Sequence, residues 1–260
     1  MLTDARKGVK RGSPGRRSRP SYVACGLHPV AAFLEARPAD VEGVLATRES
    51  RAGIEHLAAT AGLRVEASDP RTLDGLSGGA AHQGIVALGR PPRAWDLEDL
   101  LAESPRILVV LDGLTDPRNV GAVLRSAEAV GAGGLIVARD RAPGLTPALV
   151  KAAAGAVEWL PIARVTNLAR ALASIRSAGF WTIGLDGGAG VSLGEPGVLP
   201  GLPAALVVGA EGKGIRPLVQ KGCDRLVRIP MAGRTESLNV SVAAGVGLWE
   251  LARLGNTASS

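Results

Sequence analysis

Hydrophobic positions in the second half of the chain form short continuous runs, separated by longer stretches in which small and apolar residues recur. A continuous apolar run is typical of a strand buried on both faces of a sheet. The pattern predicts strands at 107–111, 135–138, 180–185, 204–208 and 225–229. Helices are predicted from an Asn119 cap to Val130, at 146–156, from an Asn167 cap to 179, at 215–221 and finally to about Leu254. Strands that alternate with helices indicate a parallel sheet with helices on both faces.

The first half shows the same alternation on a smaller scale. Strands are predicted at 22–25, 41–46, 63–67 and 84–88, and helices at 29–36, from a Ser50 cap to Gly62, and near 71–76. Arg90-Pro91-Pro92-Arg93 then interrupts regular structure, because proline lacks the N–H that a helix or sheet requires. We therefore expect an α/β chain with a small domain at 21–89, a linker at 90–104 and a larger domain at 105–255.

The composition limits the kind of protein this is. Of the 260 residues, 46% are hydrophobic, which is ample for a packed core, yet no apolar run reaches the roughly 18 residues of a membrane span. The N-terminus is charged and does not resemble a secretory signal. Cys25 and Cys223 have no metal or redox spacing, and free thiols are favoured over a disulfide. We expect a reducing, cytoplasmic compartment, with no membrane and no metal.

The net charge of +6 belongs to one end of the chain. Residues 1–20 hold seven basic side chains and one acidic one, so the remaining 23 basic and 23 acidic side chains balance. Glycines and prolines in this segment predict a disordered basic arm. Such an arm attracts phosphate backbones without reading their sequence, and a solvated extension without function is an equal alternative.

Three polar loops follow predicted strands, at 112–125, 209–215 and 230–241. The carboxyl ends of parallel strands share one edge of the sheet, so these loops are expected to meet at one pocket. The last loop follows Pro230, which ends its strand, and Ser237 or Asn239 is expected to cap the final helix.

The 209–215 loop is rich in glycine but is not a nucleotide triphosphate site. A Walker loop has glycine five residues before its Gly-Lys pair and Ser or Thr after it, whereas Val207 and Gly214 occupy those positions here. A dinucleotide fingerprint is absent as well. The glycines allow backbone to approach a ligand, and a plain tight turn is the alternative.

Taken together, the three loops resemble a known family. The segment Asp116-Pro117-Arg118-Asn119-Val120-Gly121-Ala122-Val123-Leu124-Arg125-Ser126-Ala127 resembles motif 1 of the SpoU/TrmH RNA ribose methyltransferases. Residues 207–215 are similar to motif 2, and Ile229-Pro230-Met231 with 237–243 is similar to motif 3. Residues 21–89 resemble an L30e-like RNA-binding domain, and the segments that carry this resemblance are 26–30 and 82–87. The combination is most similar to the branch that methylates guanosine in 23S ribosomal RNA.

The resemblance implies a fold, a cofactor and an assembly. The larger domain would be a trefoil-knotted α/β domain of the SPOUT class, with the chain from about 205 threaded through an earlier loop. It would bind S-adenosylmethionine and form a homodimer through its C-terminal and motif 1 helices. The cofactor would contact Gly209, Ile229 and Leu238, with Met231 and Ser237 nearby.

The resemblance also implies roles for polar residues. Candidate catalytic residues are Asn119, Arg125, Glu211, Ser237 and Asn239, and candidate RNA-binding residues are His82, Gln83, Arg118 and Arg125. Because a guanidinium stays protonated, we expect Arg125 to hold a phosphate and polarise the ribose 2′-hydroxyl rather than act as a base.

Several alternatives remain open at the level of the sequence. Asn119, Ser237 and Asn239 could be simple caps, and Glu211 and Arg125 could be solvated charges. His82 could be a hydrogen-bonded loop histidine. The substrate could instead be tRNA or a resistance site on ribosomal RNA, and a non-catalytic ribosome-assembly factor is the alternative from another class.

Overall fold

The structure, a computed structural model, describes residues 21–257, and the predicted basic arm lies outside the described residues. Residues 21–89 form a four-stranded unit. Its elements are β1 (Tyr22–Cys25), α1 (Leu27–Ala36), β2 (Val41–Ala46), α2 (Ala52–Thr60), β3 (Val65–Ala67), α3 (Pro70–Ser77) and β4 (Ile85–Gly89). The strand order is β1-β4-β2-β3, with β4 antiparallel to both neighbours and β2 parallel to β3.

The rest of the chain forms a six-stranded unit around a wholly parallel sheet. Its strands are β5 (Ile107–Asp112), β6 (Gly134–Ala138), β7 (Ile162–Val165), β8 (Trp181–Leu185), β9 (Ala204–Gly209) and β10 (Arg225–Val227). Its helices are α4 (Leu97–Ala102), α5 (Pro117–Ala129), α6 (Pro147–Ala153), α7 (Leu168–Ser177), α8 (Pro217–Gln220) and α9 (Val240–Thr257). The order β10-β8-β9-β5-β6-β7 confirms the predicted α/β architecture with a parallel sheet and a smaller N-terminal α/β unit.

Side-chain alternation along the strands assigns the helices to two layers. Ile107, Val109 and Leu111 of β5 face a core that includes side chains of α5, α6 and α9. Leu108 and Val110 face the opposite core, with α4 and α7. Successive residues of a strand point to opposite faces, so a sheet with two covered faces needs the continuous apolar runs seen here. The first core continues into the four-stranded unit.

Two regular elements were not predicted. Strand β7 is a short, half-buried edge strand interrupted by Arg164, so it lacks a continuous apolar run. The expected linker 90–104 contains α4, whose Leu97 and Leu100 are buried and whose Glu98 and Asp99 are polar. Six residues carry too little periodicity to distinguish a short helix from a polar connection.

Among helices α2, α5 and α7, two predicted caps were wrong and one is confirmed. Helix α5 begins earlier than expected, because the Asp116 carboxylate accepts a hydrogen bond from the backbone N–H of Arg118 and Pro117 occupies the first turn. Ser50 does not cap α2, since its hydroxyl donates instead to the carbonyl of Gln83. Asn167 caps α7 as predicted, by accepting from the N–H of Arg170.

Candidate active site

Loops from the carboxyl ends of β8, β9 and β10 and the start of α9 enclose a cleft of about 1110 Å³, called here the carboxyl-edge cleft. The residues predicted to contact a cofactor all line it: Gly209, Ile229, Met231, Ser237 and Leu238. Glu211 and Asn239 line it as well. The loop after β8, with Asp186 and Gly187, completes the wall and was not predicted. This loop follows the carboxyl end of a strand of the same parallel sheet, and that position in the sequence could have indicated that it borders the cleft.

The loop after β9 is held in a tight turn. Ala210 and Gly214 exchange backbone hydrogen bonds of 3.1 and 2.8 Å, and Gly212 and Gly214 have φ angles of 71° and 62°. A Cβ atom on Gly209 would overlap the backbone of Gly214. The turn therefore requires glycine at 209 for close approach and at 212 and 214 for left-handed backbone.

An ion pair with a buried carboxylate fixes the far end of this turn. The Asp112 side chain, fully buried at the end of β5, accepts hydrogen bonds from the backbone N and Nε of Arg216 at 2.8 and 2.6 Å. Neither residue was singled out from the sequence, although an acidic residue at the end of an otherwise apolar strand is a usable signal. Because removal of the Arg216 side chain would leave the buried Asp112 carboxylate without its charged partner, the pair holds the turn against the neighbouring strand.

One carboxylate connects the three predicted loops. Glu211 Oε1 accepts from Asn119 Nδ2 at 3.2 Å and from Asn239 Nδ2 at 2.8 Å. Asn239 Nδ2 also lies 3.1 Å from Asn119 Oδ1, to which it donates. These three side chains are named here the Asn–Glu–Asn cluster. Asn119 lies 92 residues before Glu211 in the chain, and Asn239 lies 28 residues after it. The cluster ties α5 to both loops that bound the carboxyl-edge cleft.

The orientation of Asn239 is set by its own helix. Its Oδ1 accepts from the N–H and hydroxyl of Ser241 at 2.9 and 2.6 Å, so it caps α9 and turns its amide nitrogen toward Glu211. Of the two predicted caps, Asn239 is therefore the one used. Ser237 is exposed at the cleft and forms no side-chain hydrogen bond within residues 21–257.

The two candidate arginines lie on α5, outside the residues that line the cleft. Arg118 follows the Asp116 cap, and Arg125 lies nearly two turns further along the same helix. Both side chains are exposed, and neither makes a hydrogen bond or ion pair through its guanidinium within the described part of the chain. They are therefore available to an anionic ligand.

The remaining RNA-binding candidates lie in the four-stranded unit and do not line the carboxyl-edge cleft. His82 bonds Asp74 through Nε2 and the N–H of Gly84 through Nδ1, at 3.1 and 2.9 Å. Gln83 Oε1 accepts from Lys151 Nζ of α6 at 2.7 Å. The hydrogen bond between Gln83 and Lys151 therefore links the four-stranded unit to the six-stranded unit.

Between residues 21 and 257, no group of three His, Cys, Asp or Glu side chains is arranged to hold a metal ion, and no helix has the length and apolarity of a membrane span. Cys25 and Cys223 are free. Burial raises the pKa of Cys25 to about 11 and of Cys223 to about 12, so both thiols stay protonated at neutral pH.

Comparison with known families matches both units. Residues 106–249 match the SpoU rRNA Methylase family. Residues 23–95 match a family described as RNA 2′-O ribose methyltransferase substrate binding. The first match contains the Asn–Glu–Asn cluster, and the second contains the loop with His82 and Gln83.

Individual proteins extend this likeness to nearly the whole chain. A Burkholderia protein named 23S rRNA (guanosine-2′-O-)-methyltransferase RlmB is 46% identical over 235 residues, covering 88% of this chain and 94% of that protein. The Escherichia coli K12 protein of the same name is 42% identical over 241 residues, covering 90% and 98%. The crystal structure of the SpoU methyltransferase AviRb from Streptomyces viridochromogenes, in complex with the cofactor AdoMet, has a TM-score of 0.73 at 27% identity and covers 90% of each chain. The chain belongs to the SpoU rRNA methylase family.

Proposed function

We propose that this protein transfers a methyl group from S-adenosylmethionine to the ribose 2′-hydroxyl of a guanosine in 23S ribosomal RNA. The observation that carries the proposal is the Asn–Glu–Asn cluster, which joins all three family motifs beside a large cleft. The names of relatives that match nearly their full length support the choice of RNA and nucleoside.

The carboxyl-edge cleft suits S-adenosylmethionine in size and lining. Its walls combine apolar side chains, including Leu185, Val208 and Ile229, with the backbone of a glycine-rich turn. Polar side chains line it in comparable measure, among them Asp186, Glu211 and Asn239, and such groups fix the orientation of a ligand that has both apolar and charged parts. The cofactor would supply a methyl group on positively charged sulfur: the ribose oxygen–carbon bond forms as the carbon–sulfur bond breaks, a neutral thioether leaves and the hydroxyl proton passes to solvent, so the transfer needs no metal.

The chain's own residues would act mainly by positioning. Arg125 would hold a phosphate next to the reacting ribose and polarise its 2′-hydroxyl, because a guanidinium binds phosphate oxygens in a planar, bidentate manner. The Asn–Glu–Asn cluster would keep motifs 1, 2 and 3 in register, so that the hydroxyl meets the methyl group in line. Such alignment alone accounts for large rate accelerations.

The remaining expectations belong to the same proposal. We place the trefoil knot within residues 105–255, the linker at 90–104, and the protein in the cytoplasm with its ribosomal substrate. His82, Gln83 and Arg118 would contact RNA. The test is transfer of labelled methyl groups to separated 23S, 16S and transfer RNAs from cells that lack the modification. Label on 23S RNA supports the proposal, whereas label on transfer RNA alone contradicts it.

The turn at Gly209 gives a first prediction. Gly209→Ala places a Cβ against the backbone of Gly214, so the turn must open and the floor of the cleft changes. We expect the dissociation constant for S-adenosylmethionine to rise about tenfold, from the cost of overpacking a tight site. Calorimetry would measure it. Gly194→Ala is the control, since a Cβ there meets no atom within 4 Å, and equal affinities of the two variants would contradict the prediction.

We also propose a homodimer, and the exposed face of helix α9 supports it. Its buried side, with Ala244 and Leu248, packs into the core, while Val242, Val246 and Trp249 on the other side are 52%, 37% and 65% exposed. Positions spaced by four and three residues form one helical stripe, and an exposed apolar stripe of this kind marks an interface.

A charge in this stripe should weaken the dimer. We expect Trp249→Glu to raise the dimer dissociation constant about 30-fold, since large aromatic side chains dominate such interfaces. Sedimentation at several concentrations would measure this. Leu218→Glu on α8 is the matched control, because Leu218 is 73% exposed on another helix. If Trp249→Glu sediments like the control, α9 is not the interface.

A further inference from the structure

A buried carboxylate connects the two units of the chain. Glu158 follows α6, and its side chain is fully shielded from solvent. Its Oε1 accepts from the Tyr22 hydroxyl at 2.5 Å, and its Oε2 accepts from Nε and a terminal nitrogen of Arg37 at 2.9 and 2.7 Å. Both partners belong to the four-stranded unit, so three charged or polar groups meet across the boundary.

Aromatic packing encloses this contact. The rings of Tyr22 and Phe33 meet edge to face at 5.1 Å, and the Arg37 guanidinium lies 4.6 Å from the centre of the Phe33 ring. Burial, together with the charge of Glu158, raises the pKa of the Tyr22 phenol, so the hydroxyl stays protonated and continues to donate. The Tyr22 hydroxyl is therefore a donor to Glu158 at neutral pH.

Two glycines allow the units to approach closely. A Cβ on Gly155 would lie 2.7 Å from the Cβ of Ala32, and one on Gly26 would overlap Lys151 Nζ. Both glycines have positive φ angles, 105° and 86°. Together with the bond from Lys151 to Gln83, these contacts form what we call the interdomain joint.

Stability alone is a weak reason for such a joint. Desolvation of a buried ion pair offsets much of its attraction, and well-packed apolar side chains often stabilise a protein equally well. What this buried contact adds is a defined geometry, because two Arg37 nitrogens donate to Oε2 of Glu158 while the Tyr22 hydroxyl donates to Oε1. The joint therefore sets the position of the loop at 82–84 relative to the six-stranded unit.

We propose that Glu158 is a positioning residue that acts on bound RNA through the joint. It fixes the distance between the loop at 82–84 and the carboxyl-edge cleft, and this distance selects the nucleotide that is methylated. This inference rests on the proposed function. A flexible tether would raise only the local concentration of RNA near the cleft. A rigid joint instead restricts which ribose of the RNA reaches the cofactor while the four-stranded unit holds that RNA.

The test compares the positions of methylation, not only the rate. Wild type, Glu158→Ala and the control Glu103→Gln would be assayed on 23S RNA, with each 2′-O-methyl group located by primer extension at low nucleotide concentration. Glu103 is exposed and its side chain makes no hydrogen bond or ion pair within the described residues, so its replacement leaves the joint intact. We expect Glu158→Ala to lower kcat/KM for RNA about tenfold and to spread methylation to neighbouring nucleotides, with unchanged cofactor affinity, since small misplacements cost this much or more.

A second variant guards against loss of folding. Lys151→Ala removes the partly exposed bond of the joint and leaves Glu158 and the RNA-binding candidate Gln83 in place. We expect it to spread methylation in the same way as Glu158→Ala, because both changes loosen the same joint. Methylation of the wild-type nucleotide alone in Lys151→Ala would contradict a shared role.

The outcomes separate the two proposals. If wild type labels no RNA, the proposed function fails. If wild type labels one nucleotide of 23S RNA and the variants of the joint label that same nucleotide alone, at the wild-type rate, the function stands and the inference about Glu158 is overturned.

Discussion

Replacement of Arg125 by alanine is expected to lower kcat for methyl transfer about 100- to 1000-fold, the scale seen when one charge-stabilising donor is removed from an active site. Cofactor affinity should not change, because Arg125 does not line the carboxyl-edge cleft. Its exposed side chain makes no hydrogen bond or ion pair within residues 21–257, so the loss would not come from a broken structural contact. Single-turnover assays with saturating RNA would separate the chemical step from RNA binding.

Two further variants define what Arg125 does. Arg125→Lys keeps the charge but loses the planar fork, and we expect it to recover only a small part of the rate. Nearly full turnover of this variant would exclude a bidentate role. Arg170→Ala is the matched control, because Arg170 is an exposed arginine on α7, which packs on the opposite face of the sheet. If both alanine variants behave alike, Arg125 has no special role.

Replacement of Asn239 by aspartate should be nearly as damaging, at about 100-fold in methyl transfer at pH 8. The change replaces a donor 2.8 Å from Glu211 Oε1 by a second carboxylate, while Ser241 keeps the residue oriented toward it. Two carboxylates at this distance repel unless they share a proton. We therefore expect the variant to recover partly as the pH is lowered to 6, measured relative to wild type at each pH.

A reciprocal exchange tests the cluster itself. In the double variant Asn239→Asp with Glu211→Gln, the donor and the acceptor have changed places, so the hydrogen bond is restored. We expect it to be about tenfold more active than Asn239→Asp alone, which corresponds to a coupling energy typical of residues in contact. No recovery in the double variant, together with no effect of pH, would show that Asn239 and Glu211 act independently.

The elements with continuous apolar runs could be predicted from the sequence, because burial on both faces leaves a clear pattern. Every residue of β5 and β9 is buried, and these strands lie at the centre of the sheet. Edge strand β7 and the short helix α4 left no such pattern. The start of α5 was misplaced because Asn119 and Asp116 are both good caps, and Pro117 favours the earlier one.

The site could be predicted only in part, for a related reason. Glycines and polar residues after predicted strands indicated which loops would meet, but not which side chains would bond to each other. Asp112 and Arg216 are separated by 104 residues, and Glu158 and Tyr22 by 136. Contacts at such separations depend on the packing of whole elements, which no local pattern encodes. The roles of the site residues in catalysis stay predictions.

The most direct test of the account is the chemical position of the transferred methyl group. We would incubate wild-type protein with labelled S-adenosylmethionine and 23S RNA that lacks the modification, digest the RNA to nucleosides and identify the labelled species by mass spectrometry. The account predicts label on the ribose of guanosine, as 2′-O-methylguanosine that protects its phosphodiester bond from alkali. Label on a nucleobase would contradict it.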